Sequence, residues 1–127
     1  YSVNLCYYSN FLKTFDSWNQ KTGVVQVNRT EVFDATHNIV TSPGKLIIPR
    51  MCEAVRKFAH QMTCAAKVLE EDSRTGGKIY RYRKIGDKQD HYRNAVNYFY
   101  VACKKIGNIV TKNSRNRPSV QDMDYRL

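Results

Sequence analysis

Asp90 and His91 are the residues of this chain best placed to do chemistry. They stand where a basic segment, carrying Lys78, Arg81, Arg83, Lys84 and Lys88, runs into an amphipathic stretch, with Arg93 directly beyond. A carboxylate can hold a divalent metal ion, and the basic residues around it can hold a phosphate backbone. Together they would support metal-assisted chemistry on a nucleic acid. An acid in the first turn of a helix also has a plainer explanation, since the helix dipole favours it there. One carboxylate does not make a metal site, so its companions matter. Glu31 and Asp34, three residues apart on a helix, either add a carboxylate or form a solvated helix start. His37 and His60 stand alone. Gly76-Gly77 reads as a turn rather than a phosphate loop, and no serine or cysteine has a base partner for covalent catalysis.

These groups need elements to position them. The sequence predicts a strand over Ser2–Tyr8, and either a short helix or a packed loop over Asn10–Gly23. A strand follows at Val24–Val27. Asn28 is a plausible N-cap for a helix over Thr30–Thr41 that presents Val32, Phe33, Thr36, Ile39 and Val40 on one face. Ser42-Pro43-Gly44 ends it, and Lys45–Pro49 reads as a short buried strand. Met51–Lys67 has the period of a helix with one buried stripe. Val68–Glu71 and Lys78–Ile85 flank the turn-rich Asp72–Gly77 and form an antiparallel hairpin. On the second strand Arg81 and Arg83 share one face, and Tyr80, Tyr82 and Lys84 the other. Basic residues interleaved with tyrosines suit a phosphate backbone with stacking, or an edge strand protected by charge. The last helix opens at Asp87 as N-cap, puts Asp90 in its first turn, and buries Tyr92, Ala95, Val96, Phe99, Ala102, Cys103 and Ile106. From Asn108 the chain is polar and reads as a flexible tail. The order is that of a mixed α/β domain.

At 127 residues and 42% apolar content, the chain holds one domain with a core of its own. The net charge is +10, and it is uneven: thirteen Lys or Arg face four acids from Arg74 onward, against eight and seven before it. An excess confined to one part suits a surface that meets a polyanion, or one that only confers solubility. No apolar run approaches the roughly 20 residues of a membrane span, and no secretory signal is visible. Cys6, Cys52, Cys64 and Cys103 therefore read as reduced and mostly buried, without the spacing of a zinc site. The start at Tyr1 rather than Met suggests a piece of a longer chain.

Three segments, in order, resemble the C-terminal nuclease domain of the large terminase subunit of tailed bacteriophages. They are Val25-Gln26-Val27-Asn28-Arg29-Thr30-Glu31-Val32-Phe33-Asp34, then Gly44-Lys45-Leu46-Ile47-Ile48-Pro49-Arg50, then Ile79-Tyr80-Arg81-Tyr82-Arg83-Lys84 leading into the helix that begins Asp90-His91-Tyr92-Arg93-Asn94-Ala95. The resemblance spans roughly residues 1–107 and implies a ribonuclease-H-like mixed sheet flanked by helices. It implies Mg²⁺ or Mn²⁺ as cofactor, Asp90 as a metal ligand with His91 beside it, and cleavage of concatemeric double-stranded DNA during packaging. Lys78, Arg81, Arg83, Lys84, Lys88 and Arg93 would line the DNA path. The partners implied are the terminase ATPase domain, the small terminase subunit and the portal, in the cytoplasm of an infected bacterial host. The family's first two metal-binding acids have no equivalent in this chain, so the resemblance is to the later part of the domain, incomplete at the N-terminus. The alternative is a non-enzymatic basic module that binds nucleic acid.

Overall fold

The computed structural model describes residues 3–114, with side chains as far as Gly107. The fold is α/β. It comprises a three-stranded mixed sheet, a separate two-stranded hairpin and three helices. In the sheet, β3 (Val24–Asn28) lies at the centre, parallel to β1 (Leu5–Ser9) and antiparallel to β2 (Asp16–Asn19). β3 alternates as a half-covered strand should. Val25 and Val27 are buried and Gln26 is exposed. The two valines meet Val32, Phe33 and Val101, which come from the helices α1 (Arg29–Thr41) and α3 (His91–Ser114). β2 occupies part of the segment expected to be a helix or loop. Trp18 is its one large apolar side chain and sits opposite Val25, so pairing with β3 makes the strand.

Asn28 caps α1 as its residue type predicts. Its Oδ1 accepts from the Glu31 amide at 3.1 Å, while its Nδ2 donates to the Leu12 carbonyl at 2.8 Å. The cap thereby also anchors the loop between β1 and β2. The expected strand at Lys45–Pro49 is absent: the backbone there is irregular, and Leu46, Ile47 and Ile48 are exposed. α2 (Glu53–Met62) is shorter than its apolar period suggests, because Ala65 and Ala66 leave the helix to pair with Lys84 and Arg83. Sheet pairing there overrides good helix formers. The hairpin is formed by β4 (Ala65–Glu71) and β5 (Lys78–Lys84), closed by a turn in which Gly76 takes a φ of 68°.

α3 departs most from expectation. Its buried face is Arg93, Asn97 and Val101, more than a quarter turn from the predicted apolar stripe. Tyr92, Phe99 and Ile106 of that stripe are exposed, as is Cys103. The polar face can turn inward because acceptors and donors await it. Tyr8 Oη donates to Asn94 Oδ1 at 2.8 Å and accepts from Asn97 Nδ2 at 3.0 Å, and the Thr36 hydroxyl donates to Asn97 Oδ1 at 2.7 Å. Burial pushes the Tyr8 phenol well above its ordinary value, so it stays a neutral donor in this seam. α3 runs on to Ser114, so the opening of the expected polar tail is helical, and residues 115–127 lie outside those described. No helix among the described residues is long and apolar enough to cross a membrane.

Candidate nucleic-acid interface

Asp90 lies immediately before α3, not in its first turn. Its carbonyl accepts the first helical bond, from the Asn94 amide at 2.9 Å. The expected Asp87 cap is replaced by a residue from another helix: Gln61 Oε1 accepts from the Tyr92 amide at 2.7 Å. Gln61 is buried, and its Nε2 lies 3.4 Å from Gln89 Oε1. Asp90 is half-buried, close enough to Cys64 to help raise that thiol's pKa, although burial is the larger cause. His91 is exposed. Among the described residues no group of three or more His, Cys, Asp or Glu stands where it could hold a metal ion. Asp90 therefore supplies one carboxylate, and the residues around it do not complete a two-metal set.

Glu31 is exposed in the first turn of α1, and Asp34 is engaged elsewhere. Asp34 accepts from Lys67 Nζ at 2.7 Å and from Tyr82 Oη at 2.7 Å, which ties α1 to both strands of the hairpin. Burial first, and Asp34 second, push the Tyr82 phenol up to about 12. Tyr82 is thus a structural donor whose ring packs on Phe33, 4.9 Å between centroids, and is not a stacking platform.

The basic residues separate into three groups, with Lys78 apart from all of them. Arg93 faces the interior, only 2% exposed. Its Nη2 donates to the Phe33 carbonyl at 2.9 Å, with Nη1 3.5 Å from the Met62 carbonyl, and its guanidinium lies 4.8 Å from the Phe33 ring centre. Desolvation lowers its pKa. The DNA contact expected of Arg93 is corrected to a packing role, because the side chain is buried and its terminal nitrogens lie against backbone carbonyls. Lys88 lines a pocket of about 480 Å³ with Arg56, Lys57 and His60, on the α2 side of the molecule. Asp87 also lines that pocket, and Lys57 is paired with Glu53 at 2.8 Å.

Arg81, Arg83 and Lys84 form the third group, with a residue the sequence reading passed over. They line a pocket of about 300 Å³ together with Asn10, Tyr82 and Arg29. No acid lines it. Arg29 is the first residue of α1, placed there by the Asn28 cap, and its guanidinium lies 5.1 Å from the Phe33 ring centre and 5.5 Å from that of Tyr8. Neither Arg29 nor Lys84 has a carboxylate within ion-pair distance among the described residues. The Nε atoms of Arg29 and Arg81 are buried without a hydrogen-bond partner, as is that of Arg93 in the interior. Two acids on β4 and the turn restrain the others from outside the pocket. Glu70 receives both Nε and Nη2 of Arg83, the latter at 2.8 Å, and Asp72 is 4.0 Å from Arg81. Lys78 is exposed at the start of β5, opposite Glu71 in the register and outside the pocket lining. An acid-free pocket with four cations from two rigid elements is built to take an anion that presents several oxygens.

Comparison with known proteins returns no match, whether to a family model, a curated protein or a solved structure.

Proposed function

We propose that this protein binds the phosphate backbone of a nucleic acid, with the Arg29–Arg81–Arg83–Lys84 pocket as its principal contact. The observation that carries this reading is the convergence of four cations on a pocket lined by no carboxylate. The charge excess from Arg74 onward supplies the surrounding field. The segments that resemble the terminase nuclease domain support DNA as the nucleic acid. They also support a ribonuclease-H-like setting in which the hairpin lies along the DNA path, with an ATPase domain, a small subunit and a portal as partners.

A second reading, metal-dependent cleavage of double-stranded DNA, rests on Asp90 at the start of the helix that follows the basic hairpin. It requires carboxylates beyond those described here. One experiment separates the two. Under the first reading, DNA affinity measured against salt falls steeply and without regard to Mn²⁺. Arg29→Ala and Arg81→Ala each weaken it about tenfold and lower the salt slope by about one. Under the second, Mn²⁺ binds measurably and Asp90→Ala abolishes that binding. Affinity that ignores both salt and the two arginines overturns the first reading.

A further inference from the structure

Phe11 is 60% exposed at the rim of the cationic pocket, in the loop between β1 and β2. An exposed phenylalanine in a mobile position would mean little, but this one is held. The Asn28 cap grips the loop through the Leu12 carbonyl, the Asn28 amide donates to the Phe15 carbonyl at 2.8 Å, and the Phe11 amide donates to Ser9 Oγ at 3.2 Å. Its neighbour Asn10 lines the pocket. Arg81 links the two features, since it lines the pocket while its guanidinium lies 5.8 Å from the Phe11 ring centre. Arg74, from the exposed hairpin turn, lies 5.1 Å from the same ring.

We propose that the pocket and Phe11 together form a binding unit for single-stranded nucleic acid, with one phosphate in the pocket and the adjoining base stacked on Phe11. This rests on the phosphate-binding reading and narrows it. In a duplex the bases are already stacked and paired, so an exposed ring beside the backbone gains nothing from them. In a single strand each base offers a free face, and aromatic stacking on it adds to the phosphate contact without regard to sequence. The Arg74 guanidinium lies over the Phe11 ring, so a stacked base takes that face in its place. Tyr82, which the sequence offers for stacking, is committed to Asp34, so Phe11 takes that role.

The test uses the full chain and three probes of about a dozen nucleotides: single-stranded oligothymidylate, a duplex of the same length, and an abasic strand with the same phosphates. Fluorescence anisotropy is expected to show the oligothymidylate binding about tenfold more tightly than the abasic strand. The duplex is expected to bind more weakly than the oligothymidylate. Phe11→Ala should abolish the difference between oligothymidylate and the abasic strand, and Phe11→Tyr should restore it. Equal affinity for oligothymidylate and the abasic strand overturns the single-strand unit and leaves the phosphate-binding reading intact. So does a Phe11→Ala protein that keeps the difference. Failure of all three probes to bind overturns both.

Discussion

Arg93 and Arg29 pack on the same ring, yet they belong to regions that use charge in opposite ways. Each guanidinium lies about 5 Å from the Phe33 centre, Arg93 at 4.8 Å and Arg29 at 5.1 Å. Arg93 lies in the seam between α3, α1 and α2, where carbonyls of Phe33 and Met62 receive its terminal nitrogens. Around it Thr36, Asn97, Tyr8 and Asn94 form a chain of hydrogen bonds. Arg29 instead opens on the hairpin pocket, where Arg81, Arg83 and Lys84 join it and no acid lines the wall. A cation buried in the seam, with its terminal nitrogens on backbone carbonyls, holds the fold. A cation left without acceptors beside three others is available to a ligand. What separates them is the partners each is given, not residue type or neighbouring sequence.

The largest effect is expected where the regions meet. Phe33→Ala removes the ring that both arginines and Tyr82 pack against, and a buried phenylalanine truncated in this way costs about 3–5 kcal/mol. That is a large part of the stability of an ordinary domain, so the denaturant midpoint should fall sharply. DNA affinity should fall with it, even under conditions where the variant remains folded, because Arg29 loses its support. A variant that loses stability but keeps its full affinity would show that the pocket does not depend on the seam.

Arg93→Met tests the division itself. The apolar stem is kept, while two carbonyls lose their donor, at a cost of roughly 1–3 kcal/mol. The plot of log affinity against log salt should keep its slope. If the slope falls by about one, Arg93 reaches a phosphate and the division between the two regions fails.

The sequence makes the hairpin and the α1 cap legible, because each is a local pattern. Asn28 precedes an apolar-periodic run, and Asp72–Gly77 separates two alternating strands. The face of α3 is a different matter. Periodicity finds the spacing of a stripe but assumes that the apolar residues fill it, and here Arg93 and Asn97 are inside because Tyr8, Thr36 and the Phe33 carbonyl lie opposite them. Those partners are between 60 and 89 residues away in the chain. Arg29 and Phe11 were missed for the same reason, since each joins the hairpin only through tertiary packing. A signal for Arg29 did exist: a capping asparagine makes the next residue the first of the helix, where it sits at the helix end with its side chain free to meet a neighbour. Phe11 carried no such signal. Asp90 stands out by its position and by resemblance, and the same resemblance already leaves it without two of the family's acids.

The smallest expected effect sharpens the comparison most, because it converts one kind of arginine toward the other. Glu70 holds Arg83 through two hydrogen bonds, and that pairing keeps the Glu70 carboxyl below its ordinary range. A carboxyl with a depressed folded-state pKa contributes stability above its unfolded value and loses it as pH falls through the lowered one. At neutral pH the carboxyl is therefore ionised, and it competes with any phosphate for Arg83. Glu70→Gln removes the competitor while keeping the shape. Because the pair is exposed, the thermal midpoint should hardly move. Affinity should rise modestly, and the salt slope on single strands should steepen by about 0.7, one more phosphate contact. A fall in affinity would mean that Glu70 aims Arg83 into the pocket. Pairing would then serve binding as well as folding, and the line between the two regions would run through Arg83 itself.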